Sequence, residues 1–476
     1  MRMMGVDSVV YHRDTVLGRS DDHPGQALAY YASRGETPLV WGGAGSRALG
    51  LVGTVTEAQY VALYGPGAAV DPTTGERLVS TRRPGMELVI AAHKSVAELG
   101  VIGRAEDMHR ILDAERDATL AYLDNLARLR GGRRGAGAVA TRTAGLTYAV
   151  TRHATSRAGD PAPHDHVLIA NLLRMEDDRG GWKAADMSLP WDHLHAATMV
   201  GRVAAAREAV RLGYGIERDD GPSGRLGQRA IARVAEEAME VHSKRAAEIT
   251  AETERRGFAS YHARNIVAGD HRAPKRHEPV ADLMSRWQAE LESVGWPVAE
   301  LERSVVAARS KSRRPRALGE DDRRRVVAEA LALEGPLAAP KVFSRRDVVV
   351  AVAPRLFGHD PAELKSMVNQ VRVRVFAPPV FATHPAGRKW RGRRGPAVGR
   401  SLRDGAELFS QPGRRRLDSL PEGLGEAVEV GHDVLTHYLG ALVRRHRIEF
   451  LCGDHPRCVR LITRGTCGGP GGAAPP

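Results

Sequence analysis

His164 and His166 stand two residues apart, directly before the apolar run 167–170. On a strand, alternate side chains share a face, so both imidazoles would point the same way. The β-branched, apolar character of the run suits a buried strand. Upstream, Leu146-Thr147-Tyr148-Ala149-Val150 reads as a second strand, closed by His153. Between them, Ser156-Arg157-Ala158-Gly159-Asp160-Pro161 is a turn signal. Folding one strand onto the other can bring a third imidazole beside the pair. Three converging imidazoles with room left over are the donor set of an open divalent-metal site. Such an ion can grip and polarise a phosphate. The chain holds 19 His, so a pair at this spacing also arises by chance.

The elements that must position these residues follow from pattern. Residues 86–92 read as a strand carrying Glu87. Residues 104–129 read as an amphipathic helix, with Met108, Ile111, Leu112, Leu120, Leu123 and Leu126 near helical spacing. The turn Gly131-Gly132-Arg133-Arg134-Gly135 breaks it. Its glycines would let backbone approach a phosphate chain that Arg133 and Arg134 neutralise; a loop with solvated charges is the plainer alternative. Helices are expected over 192–212, ending at Gly213, and over 228–257, the latter holding Ser243, Lys244 and Arg245. The stretch 275–320 is helical and charged, with a basic run at 311–316 that is either a linker or a DNA-backbone contact. Residues 340–375 read as a small helical unit opened by Ser344 as N-cap. From 384 the chain turns Arg/Gly/Pro-rich, which buries little and predicts a mostly disordered basic tail, with or without a nucleic-acid role. Cys452, Cys458 and Cys467 with His455 could offer soft ligands to zinc, though not at a standard finger spacing.

Composition narrows the partners. A formal charge of +13 over 476 residues favours nucleic acid or another polyanion. The 3 Cys, all near the C-terminal end, argue against a disulfide scaffold and suit a reducing cytoplasm. No signal peptide and no apolar stretch of bilayer length are visible, so no membrane is expected. No Gly-x-x-x-x-Gly-Lys-Ser/Thr loop is found, which argues against ATP-driven strand separation.

His153, the turn 156–161 and the pair His164/His166 together resemble the metal motif of conjugative relaxases of the TrwC/TraI type, the MobF group of HUH endonucleases. Other segments resemble that family in the same order. They are Tyr30-Tyr31-Ala32-Ser33-Arg34-Gly35-Glu36 with Trp41-Gly42-Gly43, then Arg83-Pro84-Gly85-Met86-Glu87-Leu88 leading to Lys94-Ser95-Val96, then His242-Ser243-Lys244-Arg245. The likeness covers roughly residues 6–300. Three departures stand out: Asp165 between the paired His where the family has an apolar residue or Thr, Glu87 in place of Asp, and His93 in place of Pro.

The resemblance implies an α+β fold. An antiparallel-sheet palm with flanking helices would span 1–300, a helical linker or remnant of the relaxase–helicase connection 301–383, and the tail 384–476. It implies metal ligation by His153, His164 and His166, with Glu87 holding a ring N–H of one ligand. The metal would be Mg or Mn, with Zn or Ni as alternatives. Tyr11 would make the first cut and Tyr30 or Tyr31 the second; on residue type alone, Tyr30-Tyr31 reads equally as a packed aromatic pair. Arg133, Arg134, Lys244 and Arg245 are the DNA-contact candidates. The expected partner is single-stranded DNA at a transfer origin, together with conjugation accessory or coupling proteins. The implied reaction is site- and strand-specific nicking and rejoining; a catalytically inactive origin-binding protein is the alternative.

Overall fold

The computed structural model describes residues 2–3, 37–127, 143–176, 181–219, 229–258, 261–270, 278–308, 317–332, 336–337, 342–376, 408–410, 448–452 and 459–463. In chain order its first strands are β1 (Arg2–Met3) and β2 (Val40–Gly42), then the helix α1 (Glu57–Tyr64), the hairpin β3 (Gly67–Val70) and β4 (Arg77–Thr81), and β5 (Gly85–Ala91). The helices α2 (Lys94–Val101) and α3 (Ala105–Asp124) precede the two long strands β6 (Tyr148–Thr155) and β7 (Pro161–Ala170). The central sheet has the order β1-β5-β7-β6-β2, antiparallel throughout.

Alternation along the strands divides the core in two. On one face Ala149, Leu168 and Ala170 pack under Trp41, Tyr60, Leu63 and Tyr64. The Tyr64 hydroxyl donates to the Leu168 carbonyl at 2.6 Å, so the buried phenol is satisfied. On the other face Leu88, Ile90, Val150, Val167 and Ile169 meet Leu112, Leu120 and Leu123 of α3, and Ala197 of the following helix α4 (Leu194–Arg211). The fold is therefore α+β, an antiparallel palm backed by helices. α4 ends two residues before Gly213, whose φ of +90° is the left-handed stop that suits glycine.

One expected helix divides. Residues 228–257 hold the strand β9 (Arg229–Ile231), paired with β8 (Ile216–Arg218), and two helices, α5 (Glu236–Val241) and α6 (Lys244–Arg255). The break falls at His242, which is fully buried and draws the chain inward. The stretch 275–320 resolves into α7 (Val280–Ser293) and α8 (Val298–Ala307), parted by Pro297 at the N-cap of α8; the basic run 311–316 lies outside the described residues.

Beyond these come α9 (Glu320–Leu331), α10 (Arg345–Val352) and α11 (Pro361–Phe376). The Asp347 carboxylate accepts the Ser344 backbone N–H at 2.6 Å, which fixes the start of α10 as the Ser344 signal predicts. Val327, Val348, Val352, Met367 and Val371 share one core cluster with Ala196, Met199 and Val203 of α4. This helical unit is thus packed onto the helical back of the palm. Of the stretch from 384 onward, most lies outside the described residues. Its described part holds the strand Leu408–Ser410, paired with Val342–Ser344, and the hairpin Ile448–Cys452 with Val459–Thr463. Cys452 ends a strand; Cys458, Cys467 and His455 lie outside the described residues. No helix among the described residues is long and apolar enough to cross a membrane.

Candidate metal centre

Register explains why three histidines meet. β6 and β7 pair with His153 opposite His164 and Thr151 opposite His166, and side chains of opposed residues share a face. His153 is therefore beside one imidazole and diagonal to the other. The ring centroids lie 5.3 Å apart for His153–His164, 5.0 Å for His164–His166 and 4.6 Å for His153–His166. One nitrogen from each ring lies within 4.8 Å of those of the other two. Ligands about 2.1 Å from a common ion stand roughly 3 to 3.5 Å apart, so modest ring rotation closes the set. The cluster occupies the same face as Leu168 and Ala170, beyond the half that α1 covers.

Two of the rings have their tautomers set. His164 Nδ1 donates to the Ala162 carbonyl at 2.7 Å, and His166 Nδ1 meets Glu87 Oε1 at 2.6 Å. Each contact places the proton on Nδ1 and the lone pair on Nε2. Glu87 is buried, and it sits two residues before Val89, the partner of His166 across β5 and β7. The added methylene relative to Asp is accommodated by this diagonal. Three imidazoles, two of them oriented by an acceptor behind them, are chemically suited to holding a divalent ion.

Asp165 points to the opposite face, as its place between the two His requires. There it is fully buried and forms a two-pronged pair with Arg152, Nε to Oδ1 at 2.6 Å and Nη2 to Oδ2 at 2.7 Å. Arg152 Nη2 also reaches Asp113 Oδ1 at 2.8 Å, and Arg116 Nη1 bridges Asp113 at 2.7 Å. This ion network ties β6 and β7 to α3 directly beneath the triad. The sequence offers Asp165 as a tolerated departure, not as the partner of Arg152.

The turn between β6 and β7 is held from the α5–α7 side. Gly159 has φ of +78°, and a Cβ there would stand 2.5 Å from Arg286 Nη2. Its carbonyl accepts from Arg286 Nη2 at 2.9 Å and Trp287 Nε1 at 2.8 Å. Asp160 Oδ2 accepts from the Arg245 backbone N–H at 3.0 Å. Lys94 Nζ donates to the Pro161 carbonyl at 2.8 Å and to the His242 carbonyl at 2.7 Å. His242 Nδ1 pairs with Glu98 at 2.9 Å, both side chains fully buried. Burial pushes the Glu98 carboxyl up, and His242 opposes that shift.

The DNA-contact candidates fare differently. Lys244 pairs with Glu290 at 2.7 Å and lies 3.5 Å from Asp160. Arg245 pairs with Glu248 at 3.2 Å. Both are engaged within the protein. Tyr11, Tyr30, Tyr31, Arg133 and Arg134 lie outside the described residues. Exposed cations not offered as DNA contacts from the sequence stand at Arg82 and Arg83, in a groove of about 910 Å³ shared with Asn171 and the half-exposed Trp191.

The TrwC relaxase family model matches residues 7–294. The multifunctional conjugation protein TraI of Escherichia coli is 27% identical over 277 residues, which are 54% of this chain and 15% of that protein. The chain thus spans less than a sixth of the length of that curated relative. A solved structure of the conjugative relaxase TrwC with oriT DNA, in a metal-bound state, covers 62% of this chain and 98% of its own, at 23% identity and a TM-score of 0.51. A copper-bound TrwC–oriT complex gives 24% identity and the same TM-score of 0.51. At that identity these two structures speak for the fold alone.

Proposed function

The chain belongs to the TrwC relaxase family, and from that premise we propose that it nicks and rejoins one DNA strand at a specific site during transfer of a conjugative plasmid or integrative element. The observation that carries the reading is the convergence of His153, His164 and His166 on one sheet face, with Glu87 behind His166. The two TrwC structures hold oriT DNA in metal-bound states, and single-stranded DNA is the proposed partner here.

A tyrosine hydroxyl attacks the scissile phosphodiester. The new bond is a 5′-phosphotyrosyl ester, the leaving group is the 3′-hydroxyl, and the exchange of one ester for another keeps the step reversible. Tyr11 is assigned the first attack, with Tyr30 or Tyr31 available for a later transfer. Arg2–Met3 pairs with Glu87 and Met86, so residues 2–3 lie beside the strand that carries Glu87. Seven residues separate Met3 from Tyr11, eight steps along the chain that reach at most about 28 Å.

His153, His164 and His166 would hold a divalent ion, which supplies charge neutralisation at a non-bridging phosphate oxygen. Glu87 keeps the His166 lone pair on Nε2, and the Ala162 carbonyl does the same for His164. The identity of the ion follows from metal titration of the purified chain, Mg and Mn first, then Zn and Ni.

The test is a single-stranded oligonucleotide carrying the nick site, incubated with the protein and a divalent ion, with mass spectrometry of the product. A covalent adduct on Tyr11, lost in Tyr11→Phe, is expected, since Phe keeps the ring and removes only the nucleophilic oxygen. An adduct on Tyr30 or Tyr31 in the wild type reverses the order, and binding without any adduct leaves an origin-binding protein.

A further inference from the structure

Lys94 has no place in the chemistry described so far, yet it is mostly enclosed and donates to two backbone carbonyls from different parts of the chain. An ammonium withdrawn from water is costly unless its donors are used. Burial pulls its pKa below the usual lysine value; Glu98 and Asp160 oppose that shift and Lys244 adds to it. One of its acceptors is the Pro161 carbonyl, at the first residue of β7. The next carbonyl along, that of Ala162, is the acceptor that fixes the His164 ring through Nδ1. The other acceptor is the His242 carbonyl, whose own residue is locked by Glu98.

We propose that Lys94 is a positioning residue: by clamping Pro161 to His242 it fixes the entry of β7, so that the Ala162 carbonyl holds His164 with its Nε2 facing the other two rings. Two of the three imidazoles then have a dedicated orienting device. His166 has the Glu87 carboxylate; His164 has a backbone carbonyl whose direction depends on an ammonium one residue upstream. β6 and β7 shift register opposite the start of β7, between His153 and Thr155, and a fixed donor on the Pro161 carbonyl restrains the peptide next to that of Ala162. The Glu98–His242 pair is the counter-anchor. Without it, Lys94 would join β7 to a segment itself free to shift.

The proposal rests on reading the triad as a metal centre, and its test separates the two. The first readout needs no metal: long-range ¹H–¹⁵N spectra of the wild type at pH 7.5 should show His164 as the Nδ1–H tautomer. In Lys94→Met, of similar length without donors, that signal should move to a tautomer mixture, and in Lys94→Arg it should be retained. The second readout is the Kd for Mn²⁺ at a temperature where circular dichroism shows each variant folded. Lys94→Met should weaken it by about 10- to 100-fold, the usual cost of losing an outer partner of a ligand. Should Lys94→Met not fold, Lys94→Gln, with one shorter donor arm, should give the same tautomer shift in smaller measure. A variant that loses only thermal stability, with the His164 tautomer and the Mn²⁺ Kd unchanged, overturns the assignment. A wild type that shows the Nδ1–H tautomer but binds no divalent ion sinks the metal reading and leaves Lys94 as the residue that orients His164.

Discussion

At the scale of single residues, the site is a matter of which nitrogen carries a lone pair. The paired His and the turn before them are legible in the sequence because the relevant geometry is local: spacing two on a strand, and a hairpin that returns it. Lys94, Glu98 and Trp287 are not legible. Their partners Pro161, His242 and Gly159 are 67, 144 and 128 positions away, and no local pattern marks them. Asp165 shows the same limit, since only the register that opposes it to Arg152 turns a polar residue in a buried strand into a satisfied pair. His164→Ala removes one imidazole without touching that pair. It should abolish divalent-dependent nicking while leaving affinity for single-stranded DNA within a few-fold, because binding rests mainly on phosphate charge. Parallel cleavage and filter-binding measurements on one preparation check this, and a comparable loss of both would place His164 in DNA binding instead.

At the scale of elements, the long helical runs were readable, and α3 and α4 lie close to their expected bounds. The divided segment 228–257 was not, since its break depends on His242 finding Glu98 in a distant helix. Where α3 meets α4, the helices approach so closely that a Cβ on Gly201 would stand 2.7 Å from the Glu115 carbonyl. Glu115 is buried at this contact, and burial raises its pKa to about 7 from 4.5, with Arg202 opposing the shift. A carboxyl whose folded pKa exceeds its unfolded value binds its proton more tightly when folded. Its contribution is fully present below about pH 4.5 and is lost progressively up to about pH 7. The loss is on the order of 3 kcal/mol at one unit per 1.36 kcal/mol. Glu115→Gln, neutral at every pH, should therefore flatten the decline in stability between pH 5 and 7.5, as read from urea midpoints. An identical slope in wild type and variant would show that Glu115 is solvated or paired in solution.

At the scale of the whole molecule, the palm and the helices beyond residue 317 share a core through α4: Val352 and Met367 lie in the same cluster as Met199 and Val203. Sequence pattern recognised the outer unit as helical but gave no sign of what it packs on, because α4 is apolar on more than one side and its small residues serve two cores at once. A shared core makes the two parts thermodynamically coupled, whereas a unit that merely follows the palm would unfold independently. The tryptophans give a way to tell. Five of the six, at positions 41, 182, 191, 287 and 296, lie in the palm and its flanking helices, and none lies between 317 and 376. Val352→Ala removes buried methyl groups from the outer side of the shared core and should cost about 2 kcal/mol. If the core is continuous, tryptophan fluorescence, which watches the palm, should report that loss as a fall of several degrees in Tm although no tryptophan lies between 317 and 376. A fluorescence transition that stays in place while the circular dichroism transition moves would show two units that unfold apart, and would confine the shared cluster to a weak contact.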